Sequence, residues 1–210
     1  MKAKYVIIIP DGAADNPQEC FDGKTIIEAA DTPNMDRIAQ EGRQGICRTV
    51  PANMAPGSDV AIMSLVGYDP GTYYTGRAPI EAVAMDIPLG PDDWVFRCNL
   101  VTTADNEMLD HSAGHISTKE ASQLIQELSD AVSTENIRFY TGVSYRHLCV
   151  ISGQDFSKVT TQPPHDMIGE KVSKNLPKGK NEELLNTLIA QSVQLFENHP
   201  VNKVRADLGE

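Results

Sequence analysis

The sequence predicts an α/β protein built from two units, and three observations carry that prediction. The run Tyr5-Val-Ile-Ile-Ile9 stops at Pro10-Asp11-Gly12, the pattern of a buried parallel strand reaching its carboxyl edge. Segments with apolar residues at helical spacing alternate with short β-branched runs. The chain has 210 residues, 40% of them hydrophobic and 22% charged, with 15 Gly and 13 Pro. That composition excludes a disordered, coiled-coil or collagenous chain, and that length suits one core with a smaller second one.

Taken in order, Tyr5–Ile9 is the first expected strand. Thr25–Ala30 and Thr32–Glu41 read as helical: Thr32 can cap, Pro33 can sit in the first turn, and Met35, Ile38 and Ala39 form a stripe closed by Gly42. Gly45–Val50 reads as a second strand and Pro51–Gly57 as a loop. A helix is expected to start at Ser58 or the residue before it and to end at Gly67. Ala82–Ile87 and Val95–Thr102 read as strands, and Thr103–Ser112 as a polar turn region. Beyond it come a helix over Thr118–Val132, strands over Ile137–Thr141 and Arg146–Ile151, a stiff loop at Pro163-Pro164-His165-Asp166, and a helix over Asn181–Phe196. The change of character within residues 99–112 puts the unit boundary there, giving units 1–103 and 104–210.

Lys and Arg number 18 against 29 Asp and Glu, a formal charge of −11, which argues against nucleic acid or an anionic membrane as partner. Divalent cations are favoured instead. No stretch reaches the roughly 20 apolar residues of a bilayer span, and the start of the chain lacks a secretory leader, so a cytoplasmic protein is expected. Cys20, Cys47, Cys98 and Cys149 form no CxxC pair and read as reduced thiols.

Several side chains could carry chemistry. Asp11, at a strand's carboxyl end, either binds a metal or caps the turn at Gly12. Ser58, after Gly57, either faces an anion at a helix start or is an ordinary N-cap; as a nucleophile it needs a base or metal, and no GxSxG elbow is present. Arg77 and Glu81 are four apart and could simply pair on a helix. Arg97, charged within an apolar strand, needs a partner or a ligand. His111 and His115 lack the glutamate of HExxH. Arg146-His147 and His165-Asp166 join Arg97 and Arg138 as candidates for an anion pocket able to move protons.

Together these segments resemble the archaeal-type 2,3-bisphosphoglycerate-independent phosphoglycerate mutase family of the alkaline phosphatase-like superfamily. The matching stretches are IIIPDGAAD at 7–15, TPNMDRIAQEG at 32–42, APGSDVAIMSLVGYDP at 55–70 and YYTGRAPIEA at 73–82. FRCNLVT at 96–102, HSAGHIS at 111–117, YRHLCV at 145–150 and PPHD at 163–166 extend the likeness. The resemblance implies part of an alkaline phosphatase-like metal-binding core with a second, inserted α+β substrate domain. It implies interconversion of 2- and 3-phosphoglycerate through a phosphoserine, with no 2,3-bisphosphoglycerate required.

By the same resemblance, Asp11 and Ser58 are metal ligands and Ser58 is also the nucleophile. Two divalent ions are implied, Mn2+ first, with Mg2+, Co2+ or Zn2+ as alternatives. Arg77, Arg97 and Arg146 are implied to bind substrate, with His115, His165 and Asp166 in catalytic positioning or proton transfer. The resemblance implies members of roughly twice this length, so the C-terminal part of the core, with its further metal ligands, is expected to be missing from these 210 residues. Little activity is therefore expected of the 210-residue chain alone. Two alternatives stand beside mutase chemistry: a metal-dependent phosphatase or other phosphomutase of the superfamily, and a non-catalytic phosphosugar- or metal-binding module, with a homo-oligomer possible.

Overall fold

The computed structural model describes residues 3–10 and 12–208. The chain divides into two compact units, Met1–Tyr74 and Thr75–Glu210. The boundary expected between residues 103 and 104 instead falls inside a strand of the second unit. The reason is long-range pairing: the segment after Thr75 supplies a helix and an edge strand to the sheet formed by later residues.

The first unit is helical. Helix α1 (Ile26–Ala29) is opened by a capping box between Thr25 and Glu28. In α2 (Pro33–Glu41), Pro33 holds the first helical position, and the Thr32 hydroxyl bonds Asp36 Oδ1 at 3.0 Å without capping a backbone amide. Helix α3 (Ser58–Leu65) begins at Ser58 itself, with Gly57 as N-cap. Helix α4 (Pro70–Tyr73) is capped by Asp69, which accepts from the Gly71 amide.

The expected strands at 5–9 and 45–50 are not formed. Tyr5 through Ile9 and Ile46 are exposed, and among the described residues no ladder pairs with either run. An apolar run takes up strand structure through partners and burial, and neither is supplied here. Val60 and Pro70 are the buried side chains described in this unit.

The second unit holds the core. Helix α5 (Arg77–Ala84) occupies part of the stretch expected as a strand at 82–87. Ala78 and Ala82, one turn apart, are its buried residues, and Pro79 in the first turn costs no hydrogen bond. A short apolar run reads alike in either periodicity, and here packing chose the helix. Strand β1 (Trp94–Asn99) follows. The expected turn region at 103–112 is a hairpin of β2 (Thr102–Ala104) and β3 (Glu107–Asp110). Its two-residue loop puts Asp105 (φ 49°) and Asn106 (φ 63°) in the left-handed conformation that primed turns require.

Helix α6 (Thr118–Val132) matches its expected span and buries Ala121, Leu124, Ile125 and Leu128 along one face. Ser117 caps it reciprocally with Glu120. Replacing Ser117 by alanine is expected to cost about 1 kcal/mol in urea unfolding; a midpoint unmoved relative to wild type would show the cap is dispensable.

Strands β4 (Ile137–Tyr140) and β5 (Arg146–Ile151) complete an antiparallel sheet of order β1-β5-β4. Helices α7 (Glu182–Glu197) and α8 (Pro200–Asp207) end the unit. Val95, Leu148 and Val150 pack on Ala78, Ala82 and Ile87 on the α5 face of the sheet. On the other face, Cys149 and Ile151 meet Phe156, Leu185 and Leu188, while Cys98 and Phe139 meet Leu124 and Ile125. Burial pushes the Cys98 thiol up to about 11 and raises that of Cys149 further, so both are inert protonated core thiols. Among the described residues no helix is long and apolar enough to cross a membrane.

Candidate functional site

Side chains alternate across a strand, so Arg97 and Asn99 share the α5 face of β1 with Val95. The antiparallel register sets Asn99 opposite Arg146, the first residue of β5, and Arg97 opposite Leu148. Arg77 and Glu81, one turn apart on α5, reach the same end of that face. His111 follows directly after β3, and His165 lies on the short 3-10 turn Pro164–Asp166. The chain after that turn is tied to β3 by two backbone bonds, Met108 N–H to Glu170 O at 3.0 Å and Gly169 N–H to Met108 O at 2.8 Å.

These elements border an open cavity of about 350 Å³ lined by Arg77, Glu81, Arg97, Asn99, His111, Tyr145, Arg146 and His165. Glu81 lies between two guanidiniums, with Oε2 3.2 Å from Arg97 Nε and Oε1 4.0 Å from Arg77 Nε. The first contact is close, yet Arg97 Nε is buried without an aligned hydrogen bond. Asn99 Oδ1 and His111 Nδ1 are buried and likewise make no hydrogen bond, His111 Nδ1 lying 3.9 Å from Asp110 Oδ1.

Arg146 stacks over its neighbour, its guanidinium carbon 4.9 Å from the Tyr145 ring centroid, and donates to the Tyr145 hydroxyl at 3.2 Å. The His111 ring stands edge-on to Tyr145 (5.9 Å) and to His165 (6.2 Å). Leaving the imidazoles out of the count, three arginines less one glutamate give the lining a charge of +2, in a chain whose net charge is −11. A small cavity with such a lining attracts small multivalent anions.

Of the expected site residues, Arg77, Arg97, Arg146 and His165 come together here. Asp166 stands beside the cavity, its Oδ1 3.6 Å from His165 Nε2. His115 does not line it: it is exposed, with φ 56°, and its amide bonds Ser112 Oγ at 3.3 Å. Ser58 opens α3 in the other unit, and Asp11 lies outside the described residues.

Asn99 and Tyr145 are lining residues that reading the sequence missed. Asn99 was signalled by its two-residue spacing from Arg97 on a strand, and Tyr145 by its place next to Arg146. Glu81 and His111, noted first as a helix partner and a weak metal ligand, belong to the lining as well.

Comparison with known proteins places this chain in a family. The sequence model for 2,3-bisphosphoglycerate-independent phosphoglycerate mutase matches residues 39–202. The chain belongs to that family. A mutase of that name from Methanosarcina mazei is 52% identical over 207 residues, covering 99% of this chain and 52% of the relative. The probable mutase of Geobacter sulfurreducens is 44% identical, with 99% and 53% covered.

Among solved structures, the cofactor-independent phosphoglycerate mutase of Thermoplasma acidophilum superposes with a TM-score of 0.56 at 29% identity, over 95% of this chain and 54% of that one. The chain thus spans about half the length of the curated relatives it matches. The mixed α/β architecture is thus similar to that of a cofactor-independent phosphoglycerate mutase.

Proposed function

We propose that this chain supplies the substrate-capturing half of a phosphoglycerate mutase, with the cavity of Arg77, Arg97 and Arg146 holding 2- or 3-phosphoglycerate. The carrying observation is the convergence of three guanidiniums with one carboxylate among them in an otherwise acidic chain. Phosphoglycerate carries a phosphate and a carboxylate on three carbons, and planar guanidiniums suit both groups. Asn99 and the imidazoles of His111 and His165 offer further polar contacts to glycerate oxygens. The cytoplasm as compartment and a small anion as partner go with this reading.

Ser58 is proposed as the phosphoryl acceptor, supported by its position as the first residue of α3 after Gly57. In the family reading, divalent ions, Mn2+ first, would lower the cost of the serine alkoxide and neutralise phosphoryl oxygens. Among the described residues no three His, Cys, Asp or Glu side chains form a group able to hold a metal ion. Those residues do not fit two ions, so Ser58 and Asp11 would need further ligands. Anion capture is the part of the chemistry that the described residues can perform.

The test is calorimetry with 3-phosphoglycerate, followed by 31P NMR of the same mixture with Mn2+ and a Ser58→Ala control. Binding tighter than that of glycerate or inorganic phosphate is expected, with no 2-phosphoglycerate resonance. Equal binding of all three would remove phosphoglycerate as the ligand. A 2-phosphoglycerate signal dependent on Ser58 would show that this chain alone completes the site. Free phosphate as the only product would identify a phosphatase.

A further inference from the structure

The turn between β3 and α6 has an unusual backbone: Ala113, Gly114 and His115 follow one another with φ of 50°, 62° and 56°. Successive left-handed residues, two of them not glycine, persist only where surrounding bonds over-determine them. One set of bonds comes from Asp110. Its Oδ1 accepts from the Ser112 amide and hydroxyl, both at 2.7 Å, and its Oδ2 accepts from the Gly114 amide at 2.7 Å.

The other tie comes from far along the chain. Arg205 of α8, 5% exposed, donates from Nη2 to the carbonyl of Ala113 at 2.6 Å. It packs so closely that a Cβ on Gly114 would lie 3.0 Å from that nitrogen. Its Nη1 is 3.9 Å from Glu120 Oε2 at the start of α6. The same helix is moored separately by His199, whose Nε2 is 2.9 Å from Glu127 Oε2. Arg205 and Asp110 thus hold one turn through different backbone groups, the Ala113 carbonyl and the Ser112 and Gly114 amides, and His111, between Asp110 and Ser112, is the residue that this turn presents to the cavity.

We propose that Arg205 is a positioning residue for the anion cavity, fixing the left-handed turn 113–115 through the Ala113 carbonyl and thereby the placement of His111 against Tyr145 and His165. A buried guanidinium is suited to this because its fork spans the carbonyl and the α6 carboxylate at once. The affinity arm of the test rests on the phosphoglycerate reading; the spectroscopic arm does not.

The experiment compares Arg205→Met, Arg205→Lys and Glu127→Gln in the full chain. The first readout is the His111 imidazole resonance of the unliganded protein, assigned with His111→Gln. The second is the dissociation constant for 3-phosphoglycerate. Arg205→Met is expected to move the His111 resonance and weaken binding about tenfold, the affinity equivalent of losing about one well-placed hydrogen bond. Arg205→Lys should restore part of both, and Glu127→Gln, which loosens the same helix elsewhere, should change neither.

An unmoved His111 resonance in folded Arg205→Met overturns the proposal, as does an equal shift in Glu127→Gln. If Arg205→Met does not fold, Arg205→Lys decides: a partial shift supports the proposal and an absent one overturns it. If wild type binds no 3-phosphoglycerate, the functional reading fails while the His111 resonance still judges Arg205.

Discussion

Replacing Arg97 with methionine is expected to weaken 3-phosphoglycerate binding by about one hundredfold, the largest loss of any cavity substitution. A hydrogen bond to a charged group contributes about 1.5–3 kcal/mol, and ~2.7 kcal/mol is a hundredfold in affinity. Arg97 belongs at the upper end because its side chain is only 23% exposed, so the field it exerts is weakly screened. Its removal also leaves Glu81, now lacking its 3.2 Å partner, facing the incoming anion. Glu81→Gln should therefore tighten binding, and adding it to Arg97→Met should recover part of the loss. A double-mutant cycle measures that coupling. Wild-type affinity in Arg97→Met would exclude the cavity as the phosphoglycerate site.

Acidification from pH 6.5 to 4 is expected to remove about 3 kcal/mol of stability through His147 alone. This side chain is 1% exposed, on β5. Burial pushes its pKa from 6.5 down to about 4, against a smaller opposing pull from the Ser144 backbone. Its Nδ1 accepts from the Gly142 amide at 3.1 Å, an arrangement that requires that nitrogen unprotonated. The contact is close because Gly142 has no Cβ, which would sit 2.2 Å from the Arg146 carbonyl oxygen.

Between pH 6.5 and 4 the unfolded chain takes up a proton at this position and the folded one does not, so falling pH favours unfolding. Below about pH 4 both states are protonated and the group adds nothing more. Asp93, held low first by the Ser152 hydroxyl, and Asp110, held low first by the Ser112 amide, stabilise the fold above their unfolded values near 3.8. Their contribution is lost at lower pH than that of His147. Urea unfolding at intervals from pH 7 to 4.5 should show the slope, and His147→Gln should flatten it. A wild-type midpoint constant over that range would refute the assignment.

Legibility in the sequence followed the range of the interactions. Helix α6 is dictated by its Ser117–Glu120 box and buried stripe, and the run of β5 by its own apolar pattern and its hairpin with β4, so the sequence places both at their observed bounds. Tyr5–Ile9 and Ala82–Ile87 carry the same strand signal, yet the first is unpaired and exposed while much of the second is in α5. Composition cannot tell them apart because the outcome depends on what packs against each. The arginines were legible one by one, since a charge in an apolar strand demands a partner. Their convergence was not, because it depends on the register that sets Asn99 beside Arg146. The role of Glu81 was hidden for the same reason: its i, i+4 spacing announces Arg77, and only the tertiary fold reveals Arg97.

That register has a consequence for the order of events in biosynthesis. The pairing of Trp94 with Ile151 closes a loop that contains the β2–β3 hairpin, α6 and β4. Hairpin and helix can form from local contacts as they are made, whereas β1 must wait for β5 to be synthesised before it gains its neighbour. Arg97 and Asn99 are therefore expected to meet Arg146 only once the sheet closes, so the cavity's arginines are not gathered before that pairing. A ligand binding at this cavity reports the completed β1–β5 pairing, so its presence during refolding stabilises the finished sheet without templating its earlier parts.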